Sequence, residues 1–315
     1  MRIDVHAHYY PTAYIKRAER LGADLAVVHR VPLATEEKAD MEARIKMMDD
    51  AGVDLQALSV SSTQPYFERE RDGADSAREA NDLYAELIHH HPKRFAAFAA
   101  LPLPHVDAAL KELERALDQL HFVGVTIGTS VMRRSSAEEA FEPIYAEMNR
   151  RGLPLFVHPA GLGVCSHLLN DFGLTWPIGA PFEDTMFAMH VIQRQIPQRY
   201  PKIKIIVPHL GGAIPALFTR IDTTKPMFAA QNSEPPSATM RRMWYDTVAQ
   251  GNSAALRCAC EQFGADRLVY GSDYPYQLHD QYLGSVKYVQ ESGLPKADVD
   301  KILDRTAAGL LGLAK

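Results

Sequence analysis

His6 and His8 stand one residue apart in the opening segment Arg2-Ile3-Asp4-Val5-His6-Ala7-His8. In an extended strand, residues two apart point the same way, so the two imidazoles project together. Neutral imidazole is a common metal ligand, and two on one face make half of a site for a divalent cation. Three more residues of ligand type each close an apolar run. His158 ends Pro-Leu-Phe-Val-His, His209 follows Ile-Ile-Val-Pro, and Asp273 follows Leu-Val-Tyr-Gly-Ser. A histidine or aspartate at such a place needs a partner. If these strand ends meet, the partner is a shared metal ion. Three imidazoles and a carboxylate suit zinc, and also iron, cobalt or manganese. The fourth apolar run, Gly-Val-Thr-Ile-Gly-Thr-Ser, offers no lysine or glutamate to bridge a second ion, so one ion is expected.

The elements that must bring these residues together follow from hydrophobic periodicity. After the opening strand, short apolar runs are predicted as strands at Leu55–Val60, Phe95–Leu101, Val123–Ile127, Leu155–His158, Ile203–Val207, Met243–Val248 and Leu268–Tyr270. Helical spacing follows each strand: Ala39–Ala51, Ala74–His91, Val106–Leu120, Ser136–Arg151, Pro181–Gln195, Gly212–Ala229, Ser253–Phe263 and Asp280–Glu291. Gly52 and Gly152 sit where helices stop. Strict β–α alternation implies parallel strands and right-handed crossovers. Eight such units predict a (β/α)8 TIM barrel, with extra C-terminal helices over Lys296–Leu313. An open doubly wound sheet would want a glycine-rich first turn, and His-Ala-His-Tyr-Tyr-Pro has no glycine. No linker or repeat divides the chain, so residues 1–315 read as a single domain with a loop insertion at about 9–38. In a barrel the carboxyl ends of the strands carry the chemistry, which is where the histidines and Asp273 fall.

Composition removes other classes. The 315 residues are 46% hydrophobic and 23% charged, with a net charge of −5. No basic run points to nucleic acid or an anionic membrane, and no apolar stretch is long enough to span a bilayer. Asp4, His6 and His8 interrupt any apolar signal at the start, which favours the cytoplasm. Cys165, Cys258 and Cys260 form no CxxC pair and are expected as reduced, mostly buried residues. His89, His90 and His91 are neighbours on a helix end, point different ways and are expected to be solvated.

Several phrases resemble the amidohydrolase superfamily, and within it the decarboxylase-like branch of the aminocarboxymuconate-semialdehyde type. They are DVHAHYYP, ANDLYAELIHHHPKRFAAFAALPL, GLPLFVHP, VPHLGG and YGSDYP. The resemblance runs from residue 2 nearly to the end. It implies one zinc ion held by His6, His8, His158 and Asp273, with a water completing the shell and His209 activating it. Asp273 would serve as ligand and proton shuttle. The resemblance further implies a homodimer in which Arg220 reaches the neighbouring subunit's site to bind a substrate carboxylate, with Arg30 as a second carboxylate-binding arginine. His167 and Trp176, in the loop after the fifth strand, are candidates for the pocket wall.

Two reactions fit such a centre. One is non-oxidative decarboxylation of an unsaturated or aromatic carboxylic acid, whose own conjugation takes up the electrons, since no organic cofactor motif is visible. The other is metal-dependent hydrolysis or hydration of a lactone, ester or ring-cleavage acid. A metal-binding protein without turnover is the third reading. A guanidinium fork holds a carboxylate in bidentate fashion, and the arginine supply therefore favours the decarboxylase.

Overall fold

The structure is a computed structural model and describes residues 1–313 apart from Ala26, Val27, His29 and Arg30. Its main sheet has eight strands: β1 Ile3–His8, β2 Leu55–Ser59, β3 Phe95–Ala100, β4 Gly124–Gly128, β5 Pro154–His158, β6 Lys204–Val207, β7 Trp244–Asp246 and β8 Leu268–Val269. Neighbours in this order pair in parallel. The sheet closes on itself through three main-chain bonds. Val5 N–H donates to Tyr270 O at 2.9 Å, Asp273 N–H to His6 O at 2.8 Å and His8 N–H to Tyr274 O at 2.7 Å. This is the (β/α)8 barrel that the alternation predicts.

Two apolar layers hold it. Inside, Ile3, Val5, Phe98, Phe156, Ile206 and Val269 pack together, with the rings of Phe98 and Phe156 stacked at 5.3 Å. Ala307, Leu310 and Leu311 of the C-terminal helices join this cluster. Lys204, the first residue of β6, donates to Leu310 O at 2.9 Å, so these helices plug the amino ends of the strands and leave the carboxyl ends free. Outside, strand residues such as Leu58, Ala97, Val125, Leu155 and Val207 meet the helices through Met48, Tyr84, Leu113, Met148 and Val191.

The predicted elements differ from the observed ones mainly at prolines. The helix expected over Gly212–Ala229 is two pieces, Ile214–Thr223 and Lys225–Phe228, because Pro226 cannot donate to the preceding turn. Ser136–Arg151 resolves into a 3-10 turn, Glu139–Phe141, and a helix, Glu142–Arg151, that begins with Pro143 near its start. Gly52 and Gly152 do end their helices, at φ of 66° and 64°. The region at about 9–38 holds a helix, Thr12–Arg20, and is packed down rather than detached: Tyr9, Tyr10 and Tyr14 are buried. The cysteines are free, but they are not buried. Cys165 is exposed on the loop after β5, and Cys258 and Cys260 are half-buried because Leu256, Ala259 and Phe263 take the inward positions of their helix. No helix among the described residues is long and apolar enough to cross a membrane.

Candidate metal centre

A bulge in β1 sets the site. Asp4 pairs with Gln56 and Ala7 with Leu58, so β1 spends one residue more than β2 over this stretch. Before the bulge Ile3 and Val5 face the barrel interior. After it Ala7 faces the helices, and His6 and His8 face inward. His6 meets the inner Phe156 edge-on at 5.1 Å. The two histidines therefore share a face, as their spacing predicts, although simple alternation from Val5 would send both outward.

His6, His8, His158 and Asp273 each offer one ligand atom, and these atoms lie within 4.8 Å of one another. Nε2 of His8 stands 3.1 Å from Oδ1 of Asp273, and Nε2 of His6 stands 3.4 Å from the same oxygen. The outer ring nitrogens are held in place. Nδ1–H of His6 donates to Oδ2 of Asp246 at 2.6 Å, and Nδ1–H of His158 donates to Pro159 O at 2.9 Å. Both arrangements leave Nε2 with a lone pair. Nε2 of His6 is buried and finds no hydrogen-bond partner among the described residues. Burial, aided by the neighbouring His8, His6 and His209, pushes the His158 imidazole well below the ordinary histidine range. Imidazoles that present Nε2, one of them an orphaned lone pair, and one carboxylate converging on a point are the donor set of a divalent cation, and the residues fit one.

His209 stands beside this set rather than in it. Its ring lies 5.4 Å from that of His6 and 6.3 Å from that of His158. It occupies a 3-10 turn after β6 with φ of 51°. Its Nδ1 bonds Oδ2 of Asp184 at 2.8 Å, and its main-chain N–H donates to Oδ1 of Asp246 at 2.9 Å. Burial opposes a charged imidazole here, but the carboxylates of Asp184, Asp246 and Asp273 outweigh it and raise His209 to about 9. Burial likewise pushes the Asp184 carboxyl up to about 7, against the pull of His209. Near neutrality the imidazole of His209 therefore carries its proton.

A cavity of about 830 Å³ opens over the cluster. His158, His209 and Asp273 form part of its lining, and Trp176, Pro177, Pro181 and Val248 give it an apolar wall. Tyr276 lies at this lining too, its hydroxyl 3.0 Å from that of Tyr10. Of the two candidates after β5, Trp176 lines the cavity, whereas His167 is exposed at the start of a short helix. Arg220 is exposed on Ile214–Thr223 and does not line its own chain's cavity. Arg30 lies outside the described residues; its neighbour Val31 lines the cavity. His89 and His90 are exposed on their helix end.

The sequence reading missed Asp246 and Asp184. Asp246 ends β7 after Trp-Tyr and carries the same signal as Asp273, an acid closing an apolar run. Asp184 and Glu183 are acids buried on the largely apolar helix Ala180–Gln193, and only that contrast could have marked them.

Fold and cluster define a (β/α)8 barrel with a three-histidine, one-aspartate centre at the carboxyl ends of its strands. The chain belongs to the amidohydrolase family, whose profile matches residues 3–313. It is 30% identical over 302 residues to 6-methylsalicylic acid decarboxylase of Penicillium expansum, a match covering 94% of this chain and 91% of that one. It is 25% identical over 337 residues to 2-amino-3-carboxymuconate-6-semialdehyde decarboxylase of Dictyostelium discoideum, covering 99% and 92%. Among solved structures it shares the fold of 5-carboxyvanillate decarboxylase from Sphingomonas paucimobilis, with a TM-score of 0.85 at 23% identity over 99% of each chain. These relatives occupy the decarboxylase-like branch that the sequence phrases resemble.

Proposed function

We propose that this protein is a metal-dependent, non-oxidative decarboxylase of an aromatic or otherwise conjugated carboxylic acid, and that its ion is zinc. The observation that carries the reading is the juxtaposition of the His6–His8–His158–Asp273 cluster with the His209–Asp184 pair beneath an apolar, aromatic-walled cavity. The names of the two curated relatives support the same class of substrate.

His6, His8, His158 and Asp273 would hold a divalent cation, which would supply a fixed positive charge to polarise a carboxylic acid substrate. The protein's own groups do the rest. Trp176, Pro177, Pro181 and Val248 offer a flat apolar surface against which a ring packs and from which water is displaced. Departure of carbon dioxide leaves an electron pair on the substrate carbon, and that carbon takes up one proton. His209, kept charged by Asp184, holds that proton at the cavity lining, and Asp273, kept a carboxylate by His8 and His6 against the effect of burial, is the acceptor in reach that can relay it.

The same reading covers assembly. Phe182 and Met186, four residues apart on one face of Ala180–Gln193, are each 46% exposed, and Phe172 and Met227 are exposed as well. Exposed apolar side chains of this size support a homodimer. In it Arg220, turned away from its own cavity, would meet a substrate carboxylate in the neighbouring site, and Arg30 would serve as a second carboxylate anchor. Three free thiols accord with a reducing compartment, and we assign the protein to the cytoplasm.

The test is carbon dioxide release from a panel of hydroxybenzoic and aminocarboxymuconate-type acids by zinc-loaded protein. Gas release by the wild type, lost in His209→Ala with metal content retained, is the expected result. Opening of lactones or esters without gas release would overturn the reading in favour of a hydrolase.

A further inference from the structure

Behind the barrel wall, on the side away from the cavity, lies a buried polar chain that the proposed chemistry does not use. Asp4 is fully buried, and its two oxygens meet four donors. Oδ1 accepts from His6 N–H at 3.1 Å and Ser272 N–H at 3.0 Å; Oδ2 accepts from the Ser272 hydroxyl at 2.6 Å and Gln56 Nε2 at 3.0 Å. The first of these is the amide of a metal-ligand candidate at the bulge. The Ser272 pair ties β1 to the segment that leads into Asp273. Gln56 in turn accepts from Nη1 of Arg44 at 3.2 Å, and Nη2 of Arg44 donates to the carbonyl of His8 at 2.6 Å. Arg44 is itself fully buried, meets no carboxylate directly among the described residues, and lies over the ring of Tyr274 at 4.2 Å.

We propose that Asp4, Gln56 and Arg44 form a positioning device for the metal centre, gripping the main chain of His6 and His8 from outside the barrel and so holding the bulge that turns both rings inward. The inference rests on the metal reading above.

The chain has a direction fixed by chemistry. Arginine only donates, so Gln56 must turn its carbonyl toward Arg44 and its amide nitrogen toward residue 4. Residue 4 must then be an acceptor toward Gln56 while also accepting the bulge amide. A carboxylate does both. The carboxamide of asparagine has the same shape, but its nitrogen would face a donor at one end or the other. The bulge amide has no strand partner, so losing its acceptor leaves a buried N–H unpaired and removes the reason for β1 to keep the extra residue there.

The experiment compares wild type, Asp4→Asn, Arg44→Met and Arg44→Lys. It reads zinc affinity by chelator competition, the visible spectrum of the cobalt-loaded protein, and the melting temperature of the metal-free protein. Asp4→Asn and Arg44→Met are expected to weaken zinc binding by about tenfold to a hundredfold and to alter the cobalt spectrum, the scale typical of groups that orient metal ligands. Arg44→Lys, which keeps the donor to His8 but loses the fork to Gln56, is expected between them and the wild type. Wild-type affinity and spectrum in both Asp4→Asn and Arg44→Met, with only a lowered melting temperature, would overturn the proposal and leave these residues a structural role. If Asp4→Asn fails to fold, the Arg44 pair decides by the same criterion. A wild-type chain that binds neither zinc nor cobalt would bring down the metal reading itself, a result distinct from wild-type binding in the variants.

Discussion

His209 and Asp184 show how far one contact governs the chemistry. The Asp184 carboxylate, against the effect of burial, helps raise His209 to about 9, so a proton stays on the imidazole through neutral pH. A raised value means the charged form is present below it and lost above it. If His209 supplies the proton to carbon, activity should fall as pH rises through about 9. Asp184→Asn removes the partner, and the basic limb of the kcat/KM profile should move toward the ordinary histidine value of about 6.5. His209→Ala should cost about 10²–10⁴-fold in kcat, the usual worth of a positioned proton donor, with metal content unchanged. An unmoved basic limb in Asp184→Asn would show that the pair does not set the profile. The sequence exposed His209 because it closes an apolar run. It exposed the metal-ligand candidates for the same reason, and Asp246 by a signal left unread. Asp184 could not be found that way, since its helix approaches the turn after β6 only in three dimensions.

At the scale of elements, the loop after β5 is a built wall, and its anchor is Glu183. That carboxylate accepts from Leu162 N–H at 2.6 Å, Gly163 N–H at 2.7 Å, Ala160 N–H at 2.7 Å and the Thr129 hydroxyl at 2.9 Å. The bend it fixes lets Trp176 lie on Gly161, where an added Cβ would come within 2.5 Å of the indole. Gly161 also has φ of 74°, a conformation that costs little only for glycine. Gly161→Ala should displace Trp176 and raise KM more than it lowers kcat, as steady-state kinetics will show; equal kinetic constants would mean Trp176 does not form the wall for substrate. Glu183→Gln turns an amide nitrogen toward donors and should cost about 1–3 kcal/mol, visible as a lower melting temperature. The barrel itself was legible because eight apolar runs alternate with helical spacing and glycines mark helix ends. The bulge in β1 was not. The residues from Ile3 to His8 read the same with or without it, and what decides between them is the acceptor Asp4 presents and the partner strand it meets.

At the scale of the whole molecule, the remaining question is why Arg220 should matter to a cavity it does not line. The helix Ile214–Thr223 leads out of the His209 turn, and Arg220 stands on its exposed face. Leu217 on this helix, Met227 on the next, and Phe182 and Met186 on Ala180–Gln193 are exposed apolar side chains of the kind an interface covers. In a two-fold dimer each subunit presents the same patch, so a residue that crosses one way crosses the other way as well. Each site would then be composite, with His209 from one chain and Arg220 from the other. Arg220→Ala should raise KM for a carboxylic acid with little change in melting temperature, and light scattering should still find a dimer. His209→Ala should instead be nearly inactive at every substrate concentration, because the proton donor is gone. Denaturing the two variants together and refolding them as a mixture makes hybrid dimers, in which one of the two sites pairs an intact His209 with an intact Arg220 from the other chain; the assay is run at substrate well below the raised KM, where both parent variants are nearly silent. Random assortment should restore roughly a quarter of wild-type activity. A mixture as inactive as its parts would place Arg220 outside the neighbouring site, and an Arg220→Ala enzyme with wild-type KM would remove it from substrate binding altogether.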